Sequence, residues 1–203
     1  MLDKYHHGDL RAAVLAAAAE VIARDGVDQL SLRSIAVELG VSHTALRHHF
    51  GSREGVFTAL ACEGYELLAD ALEDAAAGGD FAIVGVAYVV SAVHHPGHFA
   101  VMYRPELVDS ANTELQHAQQ RTAAQLNAGA RTHGDESAEG IAVASIAAWS
   151  LVHGMATLKL SGALDAADLL QQAGGDLPSI ARRASRQLFS GASPSEATAR
   201  TEN

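Results

Sequence analysis

Throughout this chain the apolar side chains recur every three or four positions, and no period-two alternation of any length interrupts them. A half-buried strand needs the second pattern; an amphipathic helix needs the first. The chain is therefore expected to be all-α, and its many alanines agree with that.

Punctuation residues divide the pattern. Asp9 is placed to cap a helix over 9–24 that ends at Gly26. Ser31 caps a second helix that stops before Gly40, and Ser42 caps a third that ends near Phe50 and Gly51. Ser52 caps a fourth, running to about residue 77, with Glu54 in its first turn where a negative charge suits the helix dipole. Asp80 caps a fifth, which ends at HHPGH (94–98). The pattern next predicts a short helix over 96–104 and one opened by Pro105 that reaches about 132. A linker, HGD (133–135), leads to a long apolar helix over 136–160 ended by Gly162, and shorter helices follow over 165–172 and 178–189. The polar tail over 191–203 is expected to be disordered.

Charge limits the function. The net charge of −10 would discourage a nucleic-acid reading if it were evenly spread. It is not: residues 1–60 carry six Lys or Arg and seven Asp or Glu, whereas the remainder carries eight and seventeen. Five histidines in the first part (His6, His7, His43, His48, His49) can add partial positive charge. Cys62 is the single cysteine and cannot form an internal disulfide. The N-terminus lacks the pattern of a signal peptide, and no apolar run approaches the roughly 20 residues that span a bilayer. The longest is FAIVGVAYVVSAV (81–93). A cytoplasmic location without a membrane partner is expected.

The stretch LSLRSIAVELGVSHTALRHHFGSREG (30–55) reads as helix, glycine turn, helix. Leu32, Ile35, Ala36 and Leu39 make one apolar face, and Val41, Ala45, Leu46 and Phe50 can dock against it. His43, Thr44, Arg47 and His48 then fall outside, with Arg33 and Arg53 at the flanks where phosphates would pass. An ordinary solvated helical hairpin meets the same spacing.

Residues 6–60 resemble the N-terminal domain of TetR-family transcriptional regulators. The resemblance is carried by the amphipathic first helix, the LSLRSIAVELGVS block, the His49-Phe50 pair and the Ser52-Arg53-Glu54 start of the fourth helix. It implies a three-helix helix-turn-helix domain over 1–52 that contacts DNA through Arg33, Ser42, His43, Thr44, Arg47, His48, His49 and Arg53. Members usually have tyrosine where this chain has Arg47, and lysine where it has Arg53. AWSLVHG (148–154) resembles the Trp-His-Gly (WHG) signature of one C-terminal subtype, and the opening YHHGDLR is typical of that subgroup. The family binds palindromic DNA as dimers and carries a variable helical domain, here 53–190, that accepts a small ligand.

Within that second part, Trp149 and His153 share a helix face, either as core or at the edge of a ligand cavity. Phe81, Tyr88, Phe99, Met102 and Tyr103 supply apolar lining, and His94, His98, Trp149 and His153 can orient polar groups of a greasy or aromatic effector. Ile141, Ala144, Ala148, Val152 and Met155, with Ile180, Ala184 and Leu188 of the last helix, are the candidate dimer interface. An intramolecular core meets the same pattern.

His94, His95 and His98 suggest a metal, but Pro96 and Gly97 break the helix that would align the rings. No metal site, cofactor or catalytic residue is assigned, and Cys62 reads as packing. The resulting expectation is a homodimeric, ligand-released repressor on a double-stranded operator. A helical ligand-binding protein whose head no longer binds DNA is the alternative, and an enzyme using the histidines and a metal is the third.

Overall fold

The computed structural model describes residues 7–131 and 137–190, and every regular element among them is helical. In order these are α1 (His7–Asp25), α2 (Leu32–Glu38), α3 (His43–Phe50), α4 (Arg53–Ala76), α5 (Phe81–His94) and α6 (Pro96–Met102). Then come α7 (Thr113–Ala130), α8 (Ala138–Leu160), α9 (Ala163–Ala166), α10 (Leu169–Gln172) and α11 (Leu177–Ser190). A 3-10 turn, Val27–Gln29, follows α1. The expected side-chain cap at Asp9, the linker at 133–135 and the tail from 191 lie outside what is described.

The chain divides into two compact units, 1–67 with 94–120 and 68–93 with 121–203. The first unit extends past the boundary at 52 drawn from the sequence. Its core joins Val14, Leu15, Ala18 and Ile22 of α1 to Ile35, Leu46, Val56, Phe57 and Leu60. α1 also packs on α6. Buried hydroxyls add directional ties: Tyr65 donates to the Met102 carbonyl at 2.7 Å, and Thr58 donates to the Glu54 carbonyl while accepting from the Asp109 N–H, both at 2.9 Å.

Side-chain capping explains two departures from the helical pattern, and a left-handed residue marks a third. Pro105 opens no helix; residues 103–112 are turns and α7 starts at Thr113. Asp109 accepts from the Ala111 N–H and Asn112 from the Leu115 N–H, so these two side chains hold the turn and cap the helix that follows. α8 begins after Ser137, whose hydroxyl accepts from the Gly140 N–H at 3.0 Å, so it starts at Ala138 and not at 136. The expected 165–172 helix is split into α9 and α10 near Asp168, which has a left-handed φ of 54°.

In the second unit Leu72, Val84, Tyr88, Val89, Ala148, Val152, Ala156 and Ala181 are buried, and α11 packs on α8. Asp80 caps α5 through the Ala82 N–H at 3.0 Å. Its other oxygen accepts from Arg182 at 3.0 Å and Arg186 at 2.9 Å, and these arginines hold the carboxyl below its ordinary range. Ser185 Oγ is buried without a hydrogen-bond partner among the described residues.

Two substitutions test this packing. A Cβ on Gly55 would stand 1.8 Å from the Phe50 carbonyl oxygen, so Gly55→Ala is expected to destabilise despite the ~1 kcal/mol that alanine gains in a helix. Ser185→Ala, which removes an unsatisfied hydroxyl, is expected to be neutral or stabilising. Urea unfolding midpoints measure both.

Candidate nucleic-acid interface

Local chemistry fixes the reading head before any tertiary contact is counted. Ser31 Oγ accepts from the Ser34 N–H at 3.4 Å, while Ser42 accepts from Ala45 and Ser52 from Gly55, both at 3.1 Å. Each satisfies a donor that a helix start leaves open, worth roughly 0.5–2 kcal/mol. α2 ends in a Schellman arrangement: the Gly40 N–H bonds the Val37 carbonyl at 3.2 Å and the Val41 N–H the Ala36 carbonyl at 2.9 Å. Gly40 takes a φ of 65°, a conformation that side chains with a Cβ resist.

With that turn set, α3 packs on α2 and buries Leu46 completely. Ala45 and Phe50 are half-buried, and His43, Thr44, Arg47, His48 and His49 are exposed, as is Arg33 on α2. α3 carries no acidic residue. Arg47 has the fork geometry to hold guanine edges or a phosphate, and Thr44 the size to touch a base edge or methyl. Two of the eight candidates have structural duties. Ser42 spends its hydroxyl as a cap. Arg53 donates to the Val27 carbonyl and stands 4.9 Å from the Phe57 ring centroid, which ties the turn after α1 to the start of α4. Val37, 77% exposed and one turn beyond Arg33, was not signalled by any motif.

The candidate effector residues fall into both units. In the second, Trp149 Nε1–H donates to the Tyr88 oxygen at 3.2 Å, and the Tyr88 hydroxyl lies 3.0 Å from His153 Nδ1. The phenolic proton is thus available to His153, whose burial favours the neutral ring. Phe81 stacks where a Cβ on Gly129 would be 1.7 Å from its ring, so its face is covered by α7. In the first unit, His98 Nε2 meets Glu63 at 3.1 Å, Met102 is buried, and Tyr103 packs edge-on to Phe99 and Tyr65. His94, at the end of α5, is exposed. A cleft of about 570 Å³ in this unit is lined by none of the candidates but by Arg11, Cys62, Glu63, Glu66, Thr113, Glu114 and His117. Burial, with Glu114 and Glu66, raises the Cys62 thiol, so it stays protonated. No group of three or more metal-ligating side chains comes together among the described residues.

The candidate dimer residues also separate. Ala148 and Val152 turn inward with Ser145 and Ala156, so they are core of their own chain. Ile141, Ala144 and Met155, like Ile180 and Ala184 of α11, are half-buried, and Leu188 is exposed. The open side of α8 is instead Val143, Ile146, Trp149 and Leu158, with empty space before Gly154. By length and composition α8 is, contrary to the sequence reading, long and apolar enough to cross a membrane. Its two apolar faces account for that composition: one is core, the other is uncovered.

Two stretches of the chain match known families. Residues 14–60 match the family described as "Bacterial regulatory proteins, tetR family", and residues 81–177 match "Tetracyclin repressor-like, C-terminal domain". The uncharacterized HTH-type transcriptional regulator Rv0681 of Mycobacterium tuberculosis is 26% identical over 162 residues, 78% of this chain and 73% of that protein. A protein of unknown function from Rhodococcus sp. RHA1 is similar at a TM-score of 0.74 and 31% identity, over 94% of this chain and 98% of that one. The TetR family regulator PfmR from Thermus thermophilus shares the fold at a TM-score of 0.67 and 20% identity, over 87% and 97%. With the reading head and the helices from α5 to the start of α11 both matched, the chain belongs to the TetR family of bacterial transcriptional regulators.

Proposed function

We propose that this regulator is a homodimeric repressor that binds a palindromic operator in the cytoplasm and is released by a small apolar or aromatic effector. The observation that carries the DNA reading is the outward row His43, Thr44, Arg47 and His48 on a helix whose inner side is sealed by Leu46. The DNA contacts are Arg33, Thr44, Arg47 and the three histidines; Ser42 and Arg53 shape the head and reach phosphate from its flanks. The second copy covers Val143, Ile146, Trp149 and Leu158 of α8 together with Ile180, Ala184 and Leu188 of α11. On α8 that face is apolar and nearly free of charge, as a four-helix dimer seam requires. Tyr88, Trp149 and His153 supply the polar anchor for the effector, and Trp149, His153 and Gly154 mark the Trp-His-Gly subtype. Release follows only if the effector favours a dimer geometry in which the two heads no longer match their half-sites.

Binding of the full chain to DNA from its own upstream region, at two salt concentrations, tests the core of this reading. One palindromic fragment is expected to bind at least about 10³-fold more tightly than random DNA. Thr44→Ala and Arg47→Ala should weaken or redirect that preference, Arg47→Ala also reducing the salt slope by about one per head if it holds a phosphate. Equal affinity for every fragment would overturn it. Sedimentation tests the seam separately: the wild type should be a dimer and Ile146→Arg a monomer of unchanged helix content. A monomeric wild type would remove the interface.

A further inference from the structure

The head has few permanent charges to offer a polyanion. Arg47 is the single arginine or lysine on α3. α2 adds one cation and one anion, Arg33 and Glu38; the first turn of α4 adds Arg53 and Glu54; and Arg24 at the end of α1 is paired with Asp25 at 2.7 Å. What α3 presents in quantity is imidazole. His43, His48 and His49 are all exposed beside Thr44 and Arg47, and the His48 and His49 ring centroids lie 6.0 Å apart.

Histidine is the side chain that ordinarily changes charge between about pH 5 and 8, and a neighbouring anion favours its charged form. A duplex presents one negative charge per ~1.7 Å of its axis. Imidazoles set against it are favoured in their charged form in the complex, which makes binding and proton uptake one linked equilibrium.

We propose that this head takes up protons as it binds double-stranded DNA, through His43, His48 and His49, so that mild acidification strengthens the complex. The inference rests on the reading of α3 as the DNA-facing helix. It makes affinity a function of pH in a head whose fixed charges alone would bind weakly.

Calorimetric titration of the full chain with its own upstream palindrome, in two buffers of different ionisation enthalpy, counts the protons directly. Uptake of about one proton or more per dimer is expected near pH 7, with affinity rising about tenfold per pH unit for each proton. The salt slope should steepen between pH 8 and pH 6 as more cations face phosphate. The His43→Gln/His48→Gln/His49→Gln variant keeps hydrogen-bonding side chains without the charge, and should lose most of the uptake; single variants should each lose part if the triple variant does not fold. Zero uptake by the wild type, or undiminished uptake by the variants, overturns the proposal and leaves the DNA reading intact provided one fragment is still preferred. No preferred fragment at any pH overturns both.

Discussion

An eight-residue helix does not persist in water by itself, because the cost of its first turn is never recovered over so short a length. α3 depends on the burial of Leu46 against α2 and on a serine cap at its start. That dependence orders the rest of the head. Ile35 and Ala36 form the buried side of α2, the Gly40 turn sets the angle between the helices, and the Arg53 guanidinium holds the turn after α1. The exposed row His43, Thr44, Arg47 and His48 stands outside this framework.

α8 obeys a different constraint. It is apolar on both sides and nearly without charge, so it has no polar face to turn to water. Small residues, Ser145, Ala148 and Ala156, bring its inner side close to the core. The larger Val143, Ile146 and Leu158 remain outside, where a monomer leaves them in contact with solvent.

The sequence made the head legible because its signals are local. Serines at 31, 42 and 52 and glycines at 40 and 51 act on backbone groups a few residues away, so each could be read in place. Where two local signals compete, the reading failed: Pro105 suits a helix start, but Asp109 and Asn112 capture the backbone later and α7 begins there. Long-range geometry left no trace. Periodicity located the apolar residues of α8 but not which of its two faces looks inward. Arg53 was legible as a cation, not as a ligand of the Val27 carbonyl, and the Tyr88–His153 contact joins residues 65 positions apart. The cleft lined by Glu63, Glu66 and Glu114 is built from three helices whose sequences do not announce one another.

Trp149 is the single tryptophan of the chain. Its indole is 41% exposed on the open face of α8, yet its N–H is held by the buried Tyr88 hydroxyl, and the His153 ring centroid stands 5.8 Å away. The molecule thus carries one indole, whose fluorescence reports the solvation of that face and which has beside it an imidazole that quenches when charged. Its emission maximum follows coverage of α8, and its intensity follows the state of His153, with no label attached.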